Sequence, residues 1–375
     1  MSANVDPSPP TAIGPLQAIA EAFAIAGPVR QLAPLGNGNV NDTYRVEAAH
    51  GQRYVLQRLN TDVFPRPQLV IDNIARLGTH VGDRPLTLER SGRCWELPRL
   101  IPTRADGRLW LEHNGQAWRL ITHIDDAVVH DTVQDADHAR EVGRALGRFH
   151  LLIHDLPCEQ LADTLEGFHV TPRYLAAYEQ LLARQGLPAG CEASHRCAAF
   201  VEQRQHLVPV LERARERGLL RLRPIHGDPK VNNVLLDHRS GEAVALVDLD
   251  TVKPGLVQTD IGDCLRSGCN PAGEEASDPA AVRFDLELCR PMLAGYLELA
   301  RPCLSDADLD HIAVAVRLIA FELGLRFFSD HLAGNRYFKC SHARHNLERA
   351  LVQFRLTESI EAQQQAIEAL VEELR

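Results

Sequence analysis

The sequence predicts an α+β chain of two lobes, a β-rich first third followed by a larger helical part. Three observations carry this. Before residue 125 the apolar residues come in short alternating runs broken by Gly and Asn, the grammar of hairpins. After it they recur at helical spacing over long stretches. The length, 375 residues, suits two lobes at roughly 100–200 residues each. Residues 1–11, rich in Pro and Ser, read as a disordered tail, 12–124 as the β-rich lobe and 125–375 as the helical lobe. A cleft between the lobes is the expected place for a ligand.

In the first lobe, residues 29–35 read as a strand, followed by the turn Gly36-Asn37-Gly38-Asn39. Residues 42–48 form the next strand, with Tyr44 and Val46 on one side, and the Gly51-Gln52 turn leads into a third at 53–59. Pro65 and Pro67 precede a helix over 68–81, whose Leu69, Ile71, Ile74, Leu77 and Val81 fall near helical spacing. Further strands are predicted at 94–101 and 117–124, with 108–112 between them.

Helices then dominate. Asp135 or Asp137 caps one that runs to about His154, its apolar stripe being Val142, Leu146, Phe149 and Ile153. Others are expected at 172–185, 193–217, 283–300, 306–332, 345–354 and 359–374, interrupted by a strand-like segment at 231–247.

Composition narrows the function. Hydrophobic residues at 45% and charged residues at 24% are ordinary globular values. Forty basic against fifty acidic residues give a net charge of −10, so neither nucleic acid nor an anionic membrane is the expected partner. No apolar stretch approaches the roughly 20 residues of a spanning helix. The N-terminus has neither the basic start nor the apolar centre of a signal peptide. Nine cysteines without a C-x-x-C pattern fit free thiols in a reducing cytoplasm, the expected location. Cys191, His195 and Cys197, and the pair Cys264 and Cys269, lack usual zinc spacing; Cys340 with His342 and His345 invites a metal reading, but core or surface histidines are the expectation.

One stretch carries chemistry. Pro224-Ile225-His226-Gly227-Asp228-Pro229-Lys230-Val231-Asn232-Asn233 reduces to His-x-Asp-x-Lys-x-x-Asn, followed by an apolar run, a Ser240-Gly241 turn, a second apolar run and Asp248-Leu249-Asp250. Phosphoryl transfer needs a carboxylate beside the attacking hydroxyl, oxygen ligands for magnesium, and cations near the migrating charge. Asp228 can be that carboxylate. Asn233 can present its amide oxygen to the metal, the hairpin returns Asp248 to the same place, and Lys230 can reach the γ-phosphate. His226 is read as a structural ring bonded to the loop backbone, because Asp228 already holds the position of the base.

These segments resemble the aminoglycoside phosphotransferase-like small-molecule kinases, which share a two-lobed protein-kinase-like fold. Further segments resemble the N-acetylhexosamine 1-kinases: Gly36-Asn37-Gly38-Asn39-Val40-Asn41-Asp42-Thr43-Tyr44, Tyr54 through Thr61, Val247-Asp248-Leu249-Asp250-Thr251, Asp260-Ile261-Gly262-Asp263, Gly324-Leu325-Arg326-Phe327-Phe328 and Tyr337-Phe338. The resemblance implies ATP and Mg2+ as cofactors and a sugar acceptor phosphorylated at its anomeric hydroxyl, N-acetylglucosamine or N-acetylgalactosamine. It implies Asp228 as base, Asn233 and Asp248 as metal ligands, Gly36, Asn37, Gly38, Asn39 and Asn41 as the turn over the nucleotide phosphates, and Arg326 and Tyr337 at the sugar. Asp260 and Asp263 would brace the loop that bears the base.

The chain also departs from these kinases. Gln57 stands where many kinases of this fold carry a third-strand Lys, and alternation sends Arg58 to the opposite face. The N-acetylhexosamine kinases lack that Lys as well; Gln57 is placed at the nucleotide, and which group contacts the α/β-phosphates stays open. Ser267 replaces an aromatic residue near the acceptor, and a serine cannot stack on a sugar ring. Acids cluster in residues 273–278, as a polycationic acceptor would require. A kinase for an aminoglycoside or another sugar, and a nucleotide-binding pseudokinase, are therefore the alternatives. The sequence fixes no oligomeric state.

Overall fold

The computed structural model describes residues 13–36, 40–82, 84 and 86–375. The chain divides into two compact units: residues up to Ile71 with Pro98–Asp125, and Asp72–Leu97 with Asp126–Arg375. Residues 72–97 thus group with the helical unit, whereas the sequence reading ran the β-rich lobe to residue 124.

The first unit is a helix on an antiparallel sheet. Helix α1 (Ile13–Glu21) precedes β1 (Val29–Pro34), β2 (Asp42–Ala48) and β3 (Arg53–Leu59); α2 (Pro67–Gly82) follows, then β4 (Leu111–His113) and β5 (Gln116–Thr122). The strand order is β1-β2-β3-β5-β4. Leu16, Ile19 and Ala20 of α1 pack on Val46, Leu56, Trp118 and Leu120, all buried. Period-two alternation puts the intervening residues on the other face, where the register sets Gln57 between Thr43 and Arg119. Pro67 opens α2 because the first helical N–H has no intrahelical acceptor to lose.

The second unit begins within α2. Its elements are β6 (Ala127–Val128), α3 (Ala136–Ile153), α4 (Thr171–Gln185), α5 (Glu192–Arg204), α6 (Val210–Glu216), β7 (Arg223–Ile225), β8 (Val234–Asp237), β9 (Ala243–Leu246), β10 (Lys253–Gly255), α7 (Val257–Gly268), α8 (Leu286–Ala300), α9 (Asp306–Asp310), α10 (Ile312–Leu332), α11 (His345–Ala362) and α12 (Gln364–Leu374). Asp135 caps α3 by accepting the His138 N–H at 2.8 Å. Helix α10 lies in the core, its Phe321, Leu325 and Phe328 packed among residues of α4, α5 and α11. Helices α3 and α8 approach so closely at Gly143 that a Cβ there would stand 1.9 Å from the Met292 carbonyl oxygen. Among the described residues no helix is long and apolar enough to cross a membrane.

Several expectations are corrected. Residues 94–101 form isolated bridges, Thr87 with Cys94, Glu96 with Ala245 and Leu100 with Ile121, instead of a strand. Pro98, without an N–H, interrupts any ladder there. The predicted helix 193–217 breaks before α6 at Pro209, and 306–332 breaks at His311, after a capping box of Ser305 and Asp308. The last two helices divide at Gln363, later than expected. Helices α1 and α7 were not anticipated. The sequence of α7 mixes Asp260, Gly262, Asp263 and Gly268 with few apolar residues, yet the helix is almost wholly buried; burial overrides its poor propensity.

Candidate active site

The loop that carries Asp228 leaves β7, which pairs antiparallel with β10. Gly227 sits at φ +88°, and a Cβ there would meet the Thr251 carbonyl oxygen at 2.8 Å, so only glycine fits. The buried Asp260 carboxylate of α7 accepts the His226 N–H at 2.7 Å and the Gly227 N–H at 2.8 Å. Thr251 Oγ1 donates to the His226 carbonyl at 2.8 Å. The His226 ring is neutral and bridging: Nε2 donates to the Val247 carbonyl at 2.9 Å, and Nδ1 accepts the Asp228 N–H at 3.2 Å. Burial, the largest influence, holds that imidazole below its ordinary pKa.

The hairpin of β8 and β9 returns the chain. Val234 pairs with Leu246, and the Val247 N–H donates to the Asn233 carbonyl at 2.9 Å. Asp248, the next residue, takes a left-handed conformation at φ 66°, ψ 58°. Asn233 Nδ2 donates to the Asp228 carbonyl at 2.7 Å, which orients the amide. Lys230 Nζ lies 3.0 Å from Asp228 Oδ2. Burial would lower the Lys230 pKa, but the charges of Asp228, Glu274 and Asp248 raise it, so its ammonium stays protonated. Asp228, Lys230, Asn233 and Asp248 are thus brought together.

On α10, the Arg326 guanidinium sits among four rings, 4.9 Å from the centroid of Phe168, 5.3 Å from Tyr174, 5.4 Å from Phe338 and 5.9 Å from Tyr337. Burial opposes its charge, while Tyr174, Tyr337, Glu322 and Asp228 favour it, and the balance raises its pKa. The Tyr337 ring is partly exposed. Its loop is folded round Asp330, whose carboxylate accepts the N–H groups of Arg336 and Tyr337 at 2.8 Å and of Phe338 at 3.0 Å.

In the first unit, the Gln57 carbonyl oxygen accepts from Arg119 Nε at 2.9 Å and Nη2 at 2.7 Å, and its amide nitrogen donates to Thr43 Oγ1 at 3.2 Å. Asn41 Oδ1 accepts the Asn60 N–H at 3.0 Å. Gly36 has φ +68°, as a tight turn requires. Asn37, Gly38 and Asn39 lie outside the described residues.

The profile of the APH phosphotransferase enzyme family matches residues 31–296. The chain belongs to that family. Solved structures agree in fold. A microcompartment-associated aminopropanol kinase shares 16% identity over 94% of this chain and 98% of its own, at a TM-score of 0.62. The amicoumacin kinase hAmiN in complex with AMP-PNP, Ca2+ and Ami has 16% identity, 94% coverage of both chains and a TM-score of 0.60. An aminoglycoside phosphotransferase from Alicyclobacillus acidocaldarius has 15% identity, covering 100% of this chain and 98% of that one, at a TM-score of 0.59. The two-lobed α+β reading of this phosphotransferase therefore holds.

Other groups in the candidate site carry no signal in the sequence. His169 contacts the Gly227 carbonyl through Nε2 at 2.8 Å and Glu322 Oε1 through Nδ1 at 2.8 Å. Asp330 organises the Tyr337 loop. Neither stands in a motif, and only the fold brings either to the site. Asp260 braces the loop as expected, but Asp263 does not; it pairs with Arg266 at 2.8 Å. Ser267 Oγ accepts the Val231 N–H at 3.2 Å, so the serine that departs from the family's aromatic residue fastens the loop. Two acids of the cluster are paired, the half-buried Glu274 with Arg266 at 2.6 Å and the exposed Glu275 with His345 at 2.6 Å and with Arg349.

Proposed function

We propose that this phosphotransferase is an ATP- and Mg2+-dependent kinase of a neutral sugar, with the anomeric hydroxyl of an N-acetylhexosamine as the preferred acceptor. The observation that carries the reading is the Asp228 carboxylate 3.0 Å from the Lys230 ammonium, on a loop whose Asn233 is locked to the Asp228 carbonyl at 2.7 Å.

The chemistry follows from these groups. Asp228 orients the acceptor hydroxyl and takes its proton. The hydroxyl oxygen bonds to the γ-phosphorus as the bond from that phosphorus to the β–γ bridging oxygen breaks, and ADP leaves with the electron pair. Lys230 offsets charge on the migrating phosphoryl group. The Asn233 amide oxygen and the Asp248 carboxylate are hard oxygen donors of the kind Mg2+ takes, and Mg2+ so held would neutralise phosphate charge. Nucleotide with a divalent cation is also what hAmiN holds. In the first unit, Gly36 with residues 37–39, Asn41 and Gln57 are assigned to the nucleotide.

The acceptor is argued from charge. Glu274 and Glu275 are committed to Arg266, His345 and Arg349. The site also presents a cation of its own in Arg326. Both features disfavour a polycationic antibiotic and favour an acceptor with carbonyl and hydroxyl oxygens, which Arg326 and Tyr337 would bind. The test is phosphorus NMR on mixtures of enzyme, MgATP and a panel of N-acetylglucosamine, N-acetylgalactosamine, neutral hexoses, amino alcohols and aminoglycosides. A product phosphorus coupled to an anomeric H1 is expected. Phosphorylation of the aminoglycosides or amino alcohols alone would overturn the acceptor assignment, and no product with any of them would favour a pseudokinase.

A further inference from the structure

His169 is a buried titratable group for which the proposed chemistry has no use. Its side chain is only 7% exposed. One ring nitrogen meets Glu322 Oε1 at 2.8 Å and the other the Gly227 carbonyl at 2.8 Å. A carboxylate and a carbonyl are both acceptors, so an imidazole satisfies both only when each nitrogen carries a proton. The electrostatics agree: burial would lower the His169 pKa, but Glu322 raises it above the ordinary value, and Glu322 is held below its own. The second Glu322 oxygen accepts from Thr171 Oγ1 at 2.6 Å.

The backbone is committed to this placement. His169 adopts φ +60°, a backbone conformation uncommon outside glycine, though histidine is among the residues that tolerate it. The preceding segment is fastened to the chain that follows Asp248. Lys253 Nζ lies 2.6 Å from Asp163 Oδ1 and donates to the Leu165 carbonyl at 3.0 Å, while Thr164 Oγ1 donates to the Asp250 carbonyl at 3.1 Å. The Phe168 ring lies 4.0 Å from that of His169 and beneath Arg326. One segment therefore touches the peptide before Asp228, the stretch after Asp248 and the ring stack under Arg326.

We propose that His169, as an imidazolium held by Glu322, is a positioning residue that fixes the peptide between Gly227 and Asp228 and so sets the direction of the Asp228 carboxylate. The inference rests on Asp228 being the base. Asp260 holds the N–H groups on one side of this loop, and His169 holds the carbonyl on the other. Losing the imidazolium leaves that peptide held through its N–H, by the 3.2 Å contact to His226 Nδ1, so it can tilt and misaim the carboxylate without touching nucleotide or acceptor.

The test uses the full chain with MgATP, reading transfer to N-acetylglucosamine and, as an acceptor-independent measure, slow hydrolysis of MgATP. In His169→Gly, glycine accepts the left-handed backbone and leaves a hole the size of imidazole. A fall in kcat of about tenfold to a hundredfold is expected, with both KM values within about threefold and most of the loss recovered by added imidazole. A merely structural role would instead lower the unfolding midpoint and leave the kcat of the folded variant near wild type. Wild-type kcat in a folded His169→Gly, or a loss that imidazole leaves untouched, overturns the proposal. If His169→Gly does not fold, His169→Asn, which tolerates the same backbone, decides by the same split of kcat against KM. Asp228→Asn is run beside them. If it retains wild-type turnover, the assignment of the base fails; if it is inactive while His169→Gly is unimpaired, only the positioning role fails.

Discussion

The two oxygens of the Asp260 carboxylate are divided between consecutive peptides, one accepting the His226 N–H at 2.7 Å and the other the Gly227 N–H at 2.8 Å. The first oxygen also meets His150 Nε2 at 2.9 Å. Burial would raise the Asp260 pKa, but the bond from the His150 ring, with the bond from the His226 N–H, brings it below the ordinary value. Asp260→Asn replaces one acceptor by an NH2 group that faces a donor. The expected cost is about 3 kcal/mol, because a buried network is broken and a polar group left unpaired. Urea unfolding of both proteins checks this; a midpoint within error of wild type would show the loop is held by its other bonds alone.

Asp228→Asn tests the base directly. The amide preserves size and can keep the contact with Lys230 through its oxygen, but cannot take a proton. Turnover should fall by about 10²–10⁴-fold, with nucleotide affinity, read by titration calorimetry, changed less than about threefold. Equal losses in turnover and affinity would mean that Asp228 binds and does not accept the proton.

Asp248→Asn keeps an oxygen donor but removes its charge. The Mg2+ concentration for half-maximal activity should rise at least about tenfold, with part of the rate restored at high Mg2+. An unchanged metal dependence would exclude Asp248 as a ligand. Asn233→Ala should shift the same curve and also loosen the loop, since it removes the bond to the Asp228 carbonyl.

What the sequence discloses about this molecule depends on how local the physics is. The strands of the sheet and helix α3 are legible because alternation, helical stripes and the Asp135 cap are written over a few residues. The cluster of Asp228, Lys230, Asn233 and Asp248 is legible because one hairpin joins its members. His169 is not, because it reaches the site by its contacts with Gly227 and Glu322, remote in sequence, and an isolated histidine before a helix carries no signal. Helix α7 is missed for a related reason: its polar residues, among them Asp260, Asp263 and Arg266, are buried by partners remote in sequence, and so few apolar residues do not mark a buried helix. Ser267 shows the limit of reading a site by family pattern. Read only as the loss of an aromatic ring near the acceptor, Ser267 has a role of its own, receiving the Val231 N–H.

Stability should depend on pH through His138. Burial, followed by the charge of His130, lowers its pKa from 6.5 to about 4. Between those values the unfolded chain binds a proton that the folded chain refuses, so this contribution to stability is intact above pH 6.5 and declines as the pH falls towards 4. The loss is on the order of 2–3 kcal/mol. His138 Nδ1 accepts the Gln134 N–H at 3.1 Å, which protonation would break. Thermal unfolding at pH 7 and pH 5, in wild type and in His138→Gln, should show a steeper decline for wild type; parallel curves would remove His138 as the cause.

Arg326 separates binding from chemistry. Its guanidinium lies within 6 Å of four aromatic rings, and among the described residues it makes no ion pair with a carboxylate. A planar cation stacks on such rings and still directs N–H groups to a ligand oxygen, whereas a lysine ammonium can do only one of these well. Arg326→Lys should therefore raise the acceptor KM at least about tenfold, leaving the MgATP KM within about threefold. Arg326→Ala should raise it further. Tyr337→Phe keeps the ring wall and removes the hydroxyl, so a smaller rise, about threefold to tenfold, is expected if that hydroxyl meets the acceptor. Initial rates with both substrates varied give each constant. A change confined to the MgATP KM would place Arg326 on the nucleotide and move the acceptor elsewhere in the fold.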